Sequence, residues 1–477
     1  MCNNHDNKAQ TINRRAAVRL GFNTLGAAGV AAMLPSMRSR GGLALAETSR
    51  ADDHFLLQVM IPGGLDATSL FDARPLAMTA AGLQTNHFGA EPTTWTGTNG
   101  ESCLATSAGQ SLHNIRNDFS ILNGVLMATT FDGHDQNTNY FVTGNPFGGE
   151  YFLPHLNNDV PNARPMPLDY IDTGFFGMAS ITNSSASAPL NSFSARNLAQ
   201  RLTAVAPIPE SSPVMNFIRA RYMANANGGG KFSAASAELN RASRKAPELA
   251  VQLQGLEIDT SEEDRVRQSM NLAMQVFAAR ASRGALIQFF PGNNVQVDAH
   301  DPVSNARQPE LANEVARAIQ TVFAMLRETP FDATRSMLDV TTVLIGTEFS
   351  RTMRQLGLAI DASGTDHNPL TNTILIGGKG IRGGMVLGAS DYATPEETLS
   401  RVHTTLDPAR LKIMGRTFDF ETMRSTTATP ASFNPGQYLT MNSVANTIYD
   451  VFGVKTERHW LLERNGSRAR VLTSLRA

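Results

Sequence analysis

Cysteine is nearly missing from this 477-residue chain, which contains only Cys2 and Cys103. Cys2 falls in a segment expected to be removed on export. The mature chain then has no intramolecular disulfide, and a Cys-rich zinc site is excluded. An exported protein of this kind must rely on its core or on metal. Long apolar runs are lacking too: no segment reaches the roughly 18–20 consecutive apolar residues of a confident membrane span. No internal repeat is present, and no low-complexity tract beyond the Gly-rich stretch NANGGGK at 225–231. Charge of one sign is not in excess, with 41 Lys and Arg against 42 Asp and Glu. That balance hides an asymmetry. Residues 1–46 carry Lys8, Arg14, Arg15, Arg19, Arg38 and Arg40 against Asp6 alone, leaving a body of net charge about −6. A mildly acidic body gives no sign of nucleic-acid binding.

The basic N-terminus reads as an address. Arg14-Arg15 stand ahead of a moderately apolar, Ala/Gly-rich run ending near Leu34, and Ala44-Leu45-Ala46 follows. Small residues thus occupy the two positions a signal peptidase reads. This plan predicts a twin-arginine signal over 1–46 and export to the periplasm or beyond, with the twin-arginine machinery as a partner. That route carries folded proteins, many of them loaded with a cofactor, which points towards a metal-bearing product.

The remainder, 47–477, is long enough and apolar enough (42% apolar and 17% charged over the chain) to bury a large core, as one α/β domain with an insertion or as two domains. Apolar runs at 54–61, 119–127, 284–290, 341–349 and 372–378 predict buried strands, and PLDYID at 167–172 a further one. Helical spacing predicts helices over 309–328, with a proline at its start, and over 441–454, with another after the strand at 119–127. Residues 190–260 look like a helical insertion. The alternation predicts an α/β fold, a mostly parallel sheet with helices on both faces.

In such sheets ligands bind outside the carboxyl ends of the strands, and polar residues gather there. Asp66 follows the first strand, and His134 with Asp135 follows the second. Asp298 and His300 follow the strand at 284–290. Glu348 and Arg351 end the strand at 341–346, and Asp366 with His367 leads into the last. Asp298 and His300, two apart on extended chain, face one side and can flank one ion. Carboxylates with imidazoles and no thiolates suit zinc, manganese or another divalent ion. Glu348 and Arg351 have a plainer reading as an ion pair that orders its loop. Arg351 can equally clamp a phosphate or sulfate oxygen. His403 is an outlying candidate for a late ligand.

These motifs, in this order, resemble the exported bacterial family known as domain of unknown function 1501, grouped with the alkaline phosphatase and sulfatase superfamily. Gly63-Gly64-Leu65-Asp66-Ala67 is similar to the family's Gly-Gly-x-Asp-Gly. Gly133-His134 followed by Phe141-Val142-Thr143-Gly144 is similar to its Ser-His and Trp-x-Thr-Gly. Val297-Asp298-Ala299-His300 resembles its Trp-Asp-Thr-His, and Thr347–Thr352 its Thr-Glu-Phe-Gly-Arg-Thr. Gly364-Thr365-Asp366-His367 matches the family's Gly-Thr-Asp-His, and the segment 377–388 its late glycine-rich stretch.

The resemblance implies an alkaline-phosphatase-like fold and a two-metal hydrolase. Asp66, Asp366 and His367 would hold one divalent ion (zinc, manganese, calcium or magnesium), and Asp298 with His300 the other. Reaction would be in-line displacement at phosphorus or sulfur. Gly133 stands where the family has serine, so Thr130, Thr129 or an activated water becomes the attacking group, with Arg351 as the clamp. The expected function is an exported metal-dependent hydrolase of a small-molecule phosphate or sulfate ester. The alternative is a non-catalytic metal-binding envelope protein that keeps the fold.

Overall fold

The computed structural model describes residues 53–75, 90–129, 131, 133–144, 152–163, 166, 168–173, 190–191, 220, 264–288, 297–352, 365–392, 413–426, 434–454 and 468–477. Apart from Ala220 these belong to one compact unit, Leu45–Leu198 with Glu257–Ala477. The expected signal over 1–46, Thr130 and His403 lie outside the described residues, as does all of 190–260 but residues 190, 191 and 220.

The centre of the fold is an eight-stranded sheet. Its strands are β1 (Phe55–Met60), β2 (Phe119–Leu122), β3 (Ile171–Asp172), β4 (Leu190–Asn191), β5 (Gly284–Gln288), β6 (Thr341–Gly346), β7 (Ile374–Gly378) and β8 (Val386–Leu387). They lie in the order β8-β2-β7-β6-β1-β5-β3-β4. Every pairing is parallel except those of β7, which runs against both β2 and β6. The sheet is mostly parallel, as the sequence predicts. The direction of β7 is a feature that apolarity cannot signal. Because β7 is reversed, the loop ahead of it reaches the same rim as the loops that follow β1, β2, β5 and β6.

Helices cover both faces. On one side Phe55 of β1 stacks on Phe277 of the helix Arg265–Ala278 at 4.9 Å. Phe119 of β2 meets Phe323 of the helix Gln308–Glu328 at 5.6 Å. That second helix buries Leu311, Val315, Ile319, Val322, Phe323 and Leu326, one stripe at helical spacing. On the other side Leu56, Met60, Leu286, Leu344, Ile374 and Ile376 pack with Phe141, Val444 and Ile448. Phe141 belongs to the helix His134–Thr143, and Val444 and Ile448 to Met441–Val451. Each fully buried Leu or Phe contributes roughly 1.5–3 kcal/mol. That apolar clamp holds the sheet rim rigid.

The run 119–127 does not continue as strand beyond Leu122. At Asn123 the chain leaves the ladder, and Val125, Leu126 and Met127 donate their N–H groups to Asn372, Leu439 and Pro369. The residues stay buried, with their backbone satisfied by loops.

Candidate metal centre

Five rim segments build the site, those after β1, β2, β5 and β6 and the loop ahead of β7. The turn after β1 is tied to the end of β6. Arg351 Nε donates to Gly64 O at 2.9 Å, and its Nη2 donates to Gly63 O. Glu348 Oε1 accepts the Gly63 N–H at 2.8 Å. Gly64 has φ +72, and a Cβ there would lie 2.3 Å from Phe349 Cε2. Only glycine fits this approach. After β2, Asn137 is fully buried. Its amide accepts from Ala128 N and donates to Phe131 O and Gly133 O, at 3.0, 2.9 and 3.1 Å. This staple sets where the helix His134–Thr143 begins, and so places His134 in its first turn. After β5, Gln308 Nε2 holds Val297 O at 3.1 Å, and Thr365 N donates to Ala299 O at 2.8 Å. Segment 297–300 is thereby joined to the loop ahead of β7. There, Ser350–Arg351 and His367–Asn368 form a short antiparallel ladder with His367 opposite Arg351.

The result is a convergence. One nitrogen or oxygen from each of His134, Asp298, His300 and His367 lies within 4.8 Å of all the others. His134 Nε2 is 3.5 Å from Asp298 Oδ2, and His300 Nε2 is 3.4 Å from Asp298 Oδ1. Each imidazole faces a different oxygen of Asp298, at a spacing close to the separation of about 3.3–3.4 Å between two ligands bound at 2.0–2.1 Å. The His300 and His367 Nε2 atoms are 2.8 Å apart. An ion between them would part the rings by roughly half an ångström. The residues fit a metal ion. Phe349 forms one wall, stacked on His367 at 4.3 Å and 4.8 Å from His134. The His300 side chain is 46% exposed, so the group opens to solvent.

The acids around His134 stabilise positive charge at the group. Burial opposes the charged form of His134, but its bonds to Asp298 and Glu348 outweigh this and raise its pKa to about 9. Burial likewise opposes ionisation of Asp298, yet His134 and then Arg351 hold its carboxyl well below the usual range. Glu348 is lowered against its burial, chiefly by His134. Without metal the acids around His134 favour a second proton on its ring, and a binding ion must displace that proton from Nε2.

The grouping differs from the sequence expectation. His367 joins Asp298 and His300, not Asp66. The buried Asp66 carboxylate accepts from Thr68 N and Thr68 Oγ1, both at 2.8 Å, as the cap of the short 3-10 helix Ala67–Ser69. Asp366 Oδ1 accepts its neighbour's amide, His367 N, at 2.9 Å and lies 3.7 Å from His300 Nδ1. The adjacent Asp366 and His367 therefore address one imidazole, His300, from its two nitrogens. Glu348 sits behind His134 instead of in the group, its Oε1 2.6 Å from His134 Nδ1.

Arg351 lies inside the rim. Its side chain is 1% exposed, and besides the two carbonyls it bonds Asp298 Oδ1 at 2.6 Å. Its Nε and Nη2 hold the backbone turn and Asp298, while the buried Nη1 has no hydrogen-bond partner among the described residues. Thr129 is half-buried in the loop after β2. Gly133 is the N-cap of its helix and carries no hydroxyl. Sequence reasoning missed Asn137 and Phe349. A polar residue one turn into an otherwise apolar helix face, and an aromatic inside the Glu348–Arg351 motif, were the available signals.

A family model described as Protein of unknown function (DUF1501) matches residues 54–415. No curated protein matches by sequence. Among solved structures, a phosphonate monoester hydrolase from Silicibacter pomeroyi is similar at 11% identity and TM-score 0.30, over 87% of this chain and 75% of that one. A TAB5 alkaline phosphatase mutant with Mg bound in its M3 site aligns at 12% identity and TM-score 0.29, over 68% and 91%. A sulfatase from Pseudoalteromonas sp. aligns at 10% identity and TM-score 0.28, over 87% and 73%. At TM-scores this low the superpositions decide nothing about chemistry.

Proposed function

We propose, for a chain that belongs to the DUF1501 family, that the rim centre holds a divalent metal ion and hydrolyses phosphate or sulfate esters outside the cytoplasm. The observation that carries this reading is the convergence of three imidazoles and a carboxylate within 4.8 Å at the sheet rim. His134, Asp298, His300 and His367 would hold the ion. Three imidazoles favour zinc or manganese, because calcium and magnesium prefer all-oxygen sites. A bound ion would supply Lewis acidity to an ester oxygen.

The chain's own residues do the rest. Asp366 steadies His300, Arg351 fixes Asp298, and Phe349 closes one side against water. The exposed edge of His300 leaves an approach for a small ester. Thr129, Thr130 or a water supplies the attack. Export by the twin-arginine route is part of the proposal, supported by Arg14-Arg15 and Ala44–Ala46. Among the described residues no helix is long and apolar enough to cross a membrane.

One observation favours a second reading, a metal-binding protein without turnover. Gly133 caps the helix that carries His134, so no hydroxyl stands at that position, and Arg351 is already engaged with Asp298. The test is elemental analysis of the purified chain, with para-nitrophenyl phosphate and sulfate assayed beside His367→Ala. Bound metal with turnover that the variant loses supports hydrolysis. Bound metal without turnover supports the second reading. A metal-free chain that stays empty after incubation with zinc and manganese refutes both.

A further inference from the structure

Glu348 is fully enclosed, its side chain 1% exposed, yet it stands outside the four-residue group. Both of its oxygens are engaged. Oε1 accepts from Gly63 N at 2.8 Å and pairs with His134 Nδ1 at 2.6 Å. Oε2 accepts from Thr347 Oγ1 at 2.8 Å, and that hydroxyl in turn accepts from Leu65 N at 3.2 Å. Three donors from three directions hold the carboxylate, so it cannot turn to meet an ion. Nor does it pair with Arg351, whose side-chain bonds run to Gly63 O, Gly64 O and Asp298.

We propose that Glu348 is the positioning residue that makes His134 a metal ligand. By taking the Nδ1 hydrogen it leaves the Nε2 lone pair directed at Asp298, His300 and His367. The inference rests on the reading that this centre binds metal. An imidazole presents one lone pair in its neutral form, and a carboxylate on the far nitrogen decides which. The same Oε1 also grips the Gly63 amide. The turn Gly63–Gly64 therefore joins the two ligand supports, Glu348 behind His134 and Arg351 behind Asp298.

The experiment titrates the full chain, cleared of metal by chelation, with Co2+ as the probe. Visible d–d absorption reports the ligand set, and zinc competition gives the affinity. Glu348→Gln keeps the shape and an acceptor for the Gly63 amide but removes the charge. The expected result is Co2+ affinity lower by about 10–100-fold, with the saturated spectrum of the wild type. In a His134→Ala background the same change should have no further effect, because Glu348 acts through that ring.

Affinity of folded Glu348→Gln within about twofold of wild type, or losses that simply add in the double variant, overturns the inference while leaving the metal reading intact. Failure of the wild type to bind Co2+ overturns the metal reading and this inference with it. Should Glu348→Gln not fold, Glu348→Asp retains the charge but withdraws the carboxylate from Nδ1. It is expected to lose affinity in the same direction, and wild-type affinity there would equally overturn the inference.

Discussion

Gly64→Ala perturbs the centre without altering any ligand. A Cβ at this position would lie 2.3 Å from Phe349 Cε2, 2.6 Å from Cδ2 and 3.1 Å from Arg351 Nε, on backbone with φ +72. Phe349 is fully buried, stacked on His367 and tilted against His134, so a shift of its ring presses on both imidazoles. Left-handed backbone with a side chain costs about 1–2 kcal/mol. Overpacking a rigid core adds about 1–3 kcal/mol. The sum is a loss of roughly 2–5 kcal/mol, together with weaker metal binding.

Gly100→Ala separates the two terms. Gly100 has φ +80 but nothing within 4 Å of its would-be Cβ, so only the strain of about 1–2 kcal/mol applies. The assay is urea unfolding at constant slope, with Co2+ affinity measured on both folded variants. Gly64→Ala should be the less stable and the weaker binder, and Gly100→Ala should bind as the wild type does. Equal destabilisation of the two, or unchanged affinity in Gly64→Ala, would refute the packing argument.

Three further outcomes are expected. His54 is buried, 2.8 Å from Thr342 Oγ1 and stacked on Phe452, and burial followed by Lys379 holds its pKa well below 6.5. The unfolded chain takes up that proton first, so stability should fall as pH drops below about 6.5. Urea midpoints that are flat there, or a slope unchanged in His54→Gln, would count against it. His134 acts with the opposite sign in the metal-free chain. Its raised pKa gives a contribution fully present below 6.5 and lost as pH rises through about 9. Stability should decline over that window in wild type but not in His134→Ala. Finally, burial and then Asp72 push the Cys103 thiol up to about 12. In a Cys2→Ser chain, maleimide labelling near neutral pH should be slow until urea unfolds the protein, and labelling at the rate of a free thiol would contradict this.

Much of the fold was legible because local pattern and burial coincide. The run 54–61 appears as Phe55–Met60, and 309–328 as Gln308–Glu328 with its proline at the first turn. The helix shows itself by apolar spacing, and the strand by a short continuous apolar run that stops at Pro62-Gly63-Gly64. The pattern failed at 123–127, where residues as buried as a strand belong to a loop, since burial does not reveal which groups satisfy the backbone. It failed again at β7, whose apolar run carries no sign of direction.

The site divides along the same line. Residue types and their places after strands 55–60, 119–122, 284–288 and 341–346 were available in the chain, because a parallel sheet delivers its carboxyl ends to one rim whatever the details. Asp298 and His300 share a side because extended chain repeats every two residues, a local rule. The grouping was not local. Asp66 turns to its own neighbour Thr68, and Glu348 and Arg351 face inward to hold His134, Asp298 and the Gly63–Gly64 turn. The primary structure determined which groups would arrive at the rim. Only the tertiary structure decided which of them face the cation position and which hold those in place, because the 2.6 Å contact that orients His134 comes from Glu348, more than two hundred residues away.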